Sequence, residues 1–309
     1  MSRLPSLLRA SLALLAVLVV VHPAPLAGAG TPHPAGPTDR SVKLDLIRKL
    51  KHGPGILILG DSRGRQAEPS LLQRLTGHTG FNAAVTGGSA PDAWVFTRYT
   101  ADLFPRERRR YIFFVSQGIT GYIPDPRMEA DPRGRHYLGE VATYLSTETV
   151  TPNPWQTDTH YRADGSIPGE ARRPSAAQVE RVRQKAAQMA ARIAQYPPGA
   201  PQPDPARFEL FEHLIAYMNS LGARPVIVLN PVYPTILAEL QKFGDPLTTA
   251  SLDYLHGLKS RHAFVVVNCQ NIHTWGGTDY DWTNPTHVNT INMRRMLRYI
   301  VSHSDGALS

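Results

Sequence analysis

Cysteine is almost absent from this chain of 309 residues: Cys269 is the only one. A lone thiol cannot close an intramolecular disulfide or supply the several thiolates of the common structural zinc sites. The fold must therefore be held by its core. Cys269 follows the apolar run Phe264 to Val267, a setting that predicts a buried small side chain with no chemical role. No Gly-Lys-Ser/Thr triplet occurs and no Gly-x-Gly-x-x-Gly follows a strand pattern, so the phosphate-cradling loops of nucleotide-binding proteins are missing. The histidines form no His-x-x-x-His pair with a neighbouring acid, and neither a metal nor an organic cofactor is implied.

Acidic residues are the scarcer charge, 25 against 33 Lys and Arg, giving a formal net charge of +8 and a pI of about 9.7. That excess favours anionic company such as envelope polymers, lipid head groups or nucleic acid, without choosing among them. Long apolar runs are lacking except near the start. There Arg3 and Arg9 precede the stretch Leu12 to Val21, followed by Pro23, Pro25 and the small residues Ala27, Gly28 and Ala29. A positive n-region, a short apolar region and Ala-x-Ala spacing read as a secretory signal over residues 1–29, cleaved after Ala29. An uncleaved anchor is the alternative, although the stretch is shorter than the roughly 20 residues that span a bilayer. Export argues against nucleic acid as a partner. A Pro/Gly-rich linker over 30–40 leads into a single domain over 41–309.

With 42% hydrophobic residues the chain is not disordered. Continuous apolar runs at Ile56 to Leu59, Tyr111 to Val115, Pro225 to Leu229 and Ala263 to Val267, with a weaker one at Phe81 to Val85, read as strands covered on both faces. Between them, residues 67–76, 89–103, 206–221, 248–260 and 288–302 carry apolar side chains at helical spacing. Strand and helix in alternation predict an α/β fold with a parallel, roughly five-stranded sheet between helical layers. From about 120 to 205 the rhythm breaks, with one long helix at Ala176 to Tyr196. This interval reads as an insertion or cap over the carboxyl edge of the sheet, or as a solvated excursion with one supporting helix.

The first strand ends in Gly60-Asp61-Ser62. A serine there, ahead of a helix, lies where open α/β sheets bind ligands and where backbone N–H groups can hold an oxyanion, so Ser62 is a candidate nucleophile. Taken literally, Gly60-Asp61-Ser62-Arg63-Gly64 also fits the elbow of α/β-hydrolases, but the serine of that elbow comes after several strands rather than after the first. A helix-capping serine is the plainer alternative. Asn284-Pro285-Thr286-His287 follows the fifth strand, and a histidine there can return to the strand ends as the base for Ser62. The cluster Arg106, Arg108, Arg109 and Arg110, on the opposite edge, reads as a solvated loop with an anionic contact as the alternative.

Gly60-Asp61-Ser62, Asn82-Ala83-Ala84-Val85-Thr86-Gly87 and Asn284-Pro285-Thr286-His287, in this order over about residues 55–303, resemble the SGNH or GDSL-type hydrolases. The resemblance implies a flavodoxin-like three-layer α/β/α sandwich. It also implies attack by Ser62 on an acyl carbonyl, His287 as base, and an oxyanion held by the Ser62 and Gly87 backbones. Where the family has an acid three residues before the histidine, this chain has Asn284, and Asp281 is the other candidate for orienting His287. The family's third-block asparagine is missing from Val115-Ser116-Gln117-Gly118-Ile119-Thr120, where Gln117 carries the best replacement amide. The long interval containing Tyr161-Arg162-Ala163-Asp164-Gly165-Ser166 resembles exported members linked to O-acylation of envelope polysaccharides. Asp61, Trp94 and Tyr161, with Trp155, are the candidate substrate contacts.

The expectation is an exported serine ester hydrolase acting on acylated carbohydrate, on envelope polymers or on a small ester. Two alternatives stand beside it: an O-acyltransferase using the same residues alongside membrane-associated acylation machinery, and a weakly catalytic glycan-binding or assembly protein.

Overall fold

A computed structural model describes residues 37–116, 126–145, 160–167, 172–199 and 205–309. The proposed signal segment, Gln117 and Trp155 lie outside the described residues. The β-branched runs form five parallel strands: β1 (Ile56–Gly60), β2 (Gly80–Asn82), β3 (Arg110–Val115), β4 (Val226–Leu229) and β5 (Val265–Asn268). Their order is β2-β1-β3-β4-β5, with Ile56 opposite Gly80 on one side and Arg110 on the other. The chain moves outward from β1 to β2 and then crosses back to β3. The switch point of the sheet therefore falls between β1 and β3.

Every residue of β1 is buried because both faces of the sheet are covered. Side chains alternate across it: Leu57, Leu59, Tyr111 and Phe113 enter one core, and Ile56, Ile58, Ile112 and Phe114 enter the other. The helices are α1 (Asp39–Arg48), α2 (Pro69–Thr76), α3 (Ala90–Leu103), α4 (Pro126–Glu129), α5 (Pro132–Gly139), α6 (Ala176–Gln195), α7 (Pro205–Ser220), α8 (Pro234–Lys242), α9 (Pro246–Leu258) and α10 (Thr290–Ser302). Leu44 of α1, Phe96 of α3, Leu214 of α7 and Leu255 of α9 close the first core. Leu72 of α2, Ala186 of α6, Leu240 of α8 and Leu297 of α10 close the second. The expected α/β sandwich is thus present, and its strand order is that of flavodoxin-like sheets.

Three features depart from the sequence reading. First, α1 begins at Asp39, within the stretch read as linker, and its hidden face is charged: Asp39, Arg40 and Lys43 are 2%, 0% and 0% exposed. A search for apolar periodicity passes over such a helix. Second, the described parts of the 120–205 interval belong to both cores. Tyr137 and Leu138 of α5 enter the first as that helix packs on α3, and Val182, Ala186 and Ile193 of α6 enter the second as it packs on α8. Third, β6 (Trp282–Asn284) and β7 (His287–Val288) form a short antiparallel hairpin ahead of α10. No helix among the described residues is long and apolar enough to cross a membrane.

Candidate active site

Ser62 stands just beyond β1, beside the switch point. The expected helix does not follow at once, since a 3-10 turn over Gly64–Gln66 intervenes and α2 starts only at Pro69. Side chains, rather than a long helix, shape this loop. Asp61 Oδ1 accepts from the Arg63 backbone N–H at 2.9 Å. From beneath, Asn82 Nδ2 donates to the carbonyls of Gly64, Arg65 and Ala67 at 3.0, 3.2 and 2.8 Å, while its Oδ1 accepts from Ala84 N–H at 3.0 Å. Asn82 is fully buried and braces the serine loop.

His287 arrives from the other end of the chain, with Nε2 2.7 Å from Ser62 Oγ. The hairpin aims it. Asn284 pairs with His287 across the strands and Trp282 with Val288, and buried Trp282 packs edge-on against Tyr233 with ring centroids 5.1 Å apart. The separation of three residues read along the sequence becomes a facing pair. Asn284 Oδ1 lies 2.9 Å from His287 Nδ1 and also accepts from the Thr286 backbone N–H at 2.9 Å and from Thr286 Oγ1 at 2.8 Å. A backbone N–H can only donate, so the amide atom facing it must be the oxygen. Nδ1 of His287 then carries the ring proton and Nε2 is bare. The Ser62 hydroxyl donates to Nε2, the arrangement a general base requires.

Asp281 does not take part in this network. Its carboxylate accepts from Arg295 Nη1 and Thr278 Oγ1, each at 2.7 Å, and from Asn289 Nδ2 at 3.3 Å. Those partners consume it at the start of α10, so Asn284, with Thr286 Oγ1 also 2.9 Å from His287 Nδ1, orients the histidine. Burial, then the positive charge of Arg63, push the His287 pKa down to about 4, against the opposing pull of Asp61. The ring is neutral at pH 7.

Charge around the serine is otherwise committed. Arg63 donates to Ser116 Oγ at 2.7 Å and to the Thr286 carbonyl at 3.3 Å, tying the loops after β1 and β3 to the hairpin turn. Ser116 Oγ donates in turn to Asp61 Oδ2. Asp61 thus serves the loop rather than presenting a free carboxylate to substrate. Arg65 donates to Thr86 Oγ1 at 2.5 Å and to Tyr161 Oη at 3.1 Å, which places Tyr161 within one side chain of the serine loop.

The loop after β2 is pinned from α1. Thr86 N–H donates to Asp39 Oδ2 at 2.9 Å, and its carbonyl accepts from Arg40 at 3.3 Å and Arg127 at 3.4 Å. Lys43 Nζ donates to the Asn82 and Ala84 carbonyls at 2.8 and 2.5 Å. Burial, then the nearby charge of Arg65, hold the Lys43 pKa well below its ordinary value. Gly87 follows in the left-handed region at φ 64, exposed. Among the described residues, neither its backbone N–H nor that of Ser62 has a hydrogen-bond partner. These are the two backbone donors expected for an oxyanion.

Trp94 is a correction. It is 4% exposed, its indole N–H donates to the Tyr137 carbonyl at 3.0 Å, and its ring packs against His213 and Tyr217 in the first core. An aromatic on an almost wholly buried helix packs inward, and Trp94 touches no part of the site. Sequence reasoning missed Thr286, Arg63, Arg65, Ser116 and the charged face of α1. Only Thr286, lying between the two paired residues, carried a local signal. Among the described residues, no group of three or more His, Cys, Asp or Glu side chains is placed to hold a metal ion. No family model matches the chain, and no curated protein matches it.

Proposed function

We propose that this protein is an exported serine ester hydrolase of SGNH type, acting on O-acyl groups of carbohydrate or envelope polymers. The observation that carries the reading is the 2.7 Å contact between Ser62 Oγ and His287 Nε2, in a tautomer dictated by Asn284 and Thr286. Ser62 Oγ bonds to the ester carbonyl carbon as its proton passes to His287 Nε2. The negative charge forming on the carbonyl oxygen meets the Ser62 and Gly87 N–H groups. Collapse breaks the bond to the alcohol oxygen, which takes the proton from His287 and leaves. Water then repeats the sequence on the acyl-serine and releases the acid. Transfer of the acyl group to a sugar hydroxyl uses the same steps with that hydroxyl in place of water.

A second reading, a glycan-binding or assembly protein of low catalytic power, is favoured by one feature. Asn284 carries no charge to stabilise imidazolium, and a base with a pKa of about 4 accepts a proton poorly. The test is labelling of the folded protein with a fluorophosphonate probe, located by peptide mass spectrometry, with Ser62→Ala and His287→Ala as controls. Label at Ser62 that depends on His287 supports the enzyme. A folded protein without label at Ser62 leaves the binding reading.

A further inference from the structure

We infer that the open cleft between α6 and the start of α10 is a binding subsite for a sugar chain bearing carboxylate or phosphate groups. The cleft has a volume of about 610 Å³ and is lined by Arg172 and Arg173, by Ser175 at the head of α6, and by Gln66, Thr283 and Asn289. Its position ties it to the reaction centre. Gln66 ends the turn that follows Ser62, Thr283 precedes Asn284, and Asn289 lies two residues past His287. The inference rests on the reading of Ser62 and His287 as that centre.

Among the described residues the charge of the cleft is unspent. Arg63 and Arg65 are occupied by protein partners, whereas Arg172 and Arg173 are exposed and, among the described residues, neither is paired with a carboxylate. An oxyanion entering the cleft can meet either guanidinium in the planar, bidentate geometry that arginine favours. The starts of α6 and α10, capped by Ser175 and Asn289, border the same space and add partial positive charge of the same sign. A second feature asks for a hydroxyl. Gln66 Oε1 is shut off from solvent and has no hydrogen-bond partner. An amide oxygen left in that state costs stability, and rotation of the Gln66 amide toward the cleft it lines lets an incoming O–H donor satisfy it. Oxyanion and hydroxyl together describe an acidic carbohydrate, and the excess of basic over acidic residues draws such a polymer toward the surface.

The test measures binding of the folded protein to hexagalacturonate, to maltohexaose phosphorylated at its 6-hydroxyls and to plain maltohexaose, at low and high salt, beside Arg172→Ala/Arg173→Ala. Both side chains are exposed, so the double variant keeps its fold, checked by its thermal midpoint. Expected are binding of at least one anionic chain that weakens as salt rises, at least tenfold loss in the double variant, and no comparable binding of maltohexaose. The tighter of the two anionic chains identifies the oxyanion. Equal binding of the neutral chain, no binding of either anionic chain, or binding untouched by the double substitution overturns the proposal. Fluorophosphonate labelling of Ser62 in the same double variant stays at the parent rate. A parent that labels at Ser62 but binds neither anionic chain condemns the cleft alone, and binding retained in a parent that never labels condemns the catalytic reading alone.

Discussion

Asn284 Oδ1 stands 2.9 Å from His287 Nδ1, in the place a carboxylate must occupy to stabilise the imidazolium formed when Ser62 gives up its proton. All three groups around that oxygen, the Thr286 N–H, the Thr286 hydroxyl and His287 Nδ1–H, are donors or can serve as donors. A carboxylate fits the same pocket without rearrangement.

Asn284→Asp is therefore expected to accelerate Ser62 labelling and ester turnover, by roughly 10² to 10⁴-fold if the missing charge limits the base. The rate of fluorophosphonate labelling measures this. An unchanged rate in a folded variant would show that charge behind the histidine is not what limits the site.

The acid limb of activity should lie unusually low. With the His287 pKa pushed down to about 4, the parent keeps its neutral base across mildly acidic pH and loses activity only as pH falls through about 4. In Asn284→Asp the limb moves upward. Labelling rate against pH, in both proteins, is the measurement.

The same depression makes stability pH-dependent. Between about 4 and the ordinary value of 6.5 the unfolded chain binds a proton at this ring and the folded chain does not. Stability is fully present above 6.5 and is lost as pH falls toward 4, by on the order of 3 kcal/mol from this ring. Urea unfolding at pH 7 and pH 4.5 should show a larger loss for the parent than for His287→Ala.

Asn82→Ala removes the donor shared by the Gly64, Arg65 and Ala67 carbonyls. The expected cost is about 2–4 kcal/mol, since buried acceptors are left unpaired, together with loss of Ser62 labelling as the loop relaxes. Thermal unfolding and labelling, read on one preparation, separate the two effects.

The neighbouring glycines should respond differently. A Cβ on Gly87 meets open space, so Gly87→Ala costs only the strain of its left-handed backbone, about 1 kcal/mol. A Cβ on Gly88 collides with the Gly60 carbonyl, so Gly88→Ala drives the loops after β1 and β2 apart and costs about 2 kcal/mol or more. Thermal midpoints of the two variants check the order.

The sequence by itself determined the sandwich. Ile56 to Leu59 and Phe208 to Met218 announced a buried strand and a covering helix, because an unbroken apolar run must be hidden on both faces and apolar side chains at a period of 3.6 have one face to bury. It also singled out Ser62, His287 and Asn284 as types and positions. Only the tertiary structure decided between Asn284 and Asp281, since that choice turned on which side of a short hairpin each residue faces and on Arg295, a partner 14 residues further on. Likewise, Trp94 is indistinguishable in sequence from a sugar platform until α5 and α7 close over it. The buried charges of α1 were illegible for the opposite reason. Asp39 and Arg40 fall in the stretch read as linker, and with Lys43 they are buried because Asp92, in the first turn of α3, and the backbone of residues 82–86, all more than 35 residues away, satisfy them. Local periodicity encodes what a segment must hide from water. Which polar groups meet is settled only when distant loops converge at one end of the sheet.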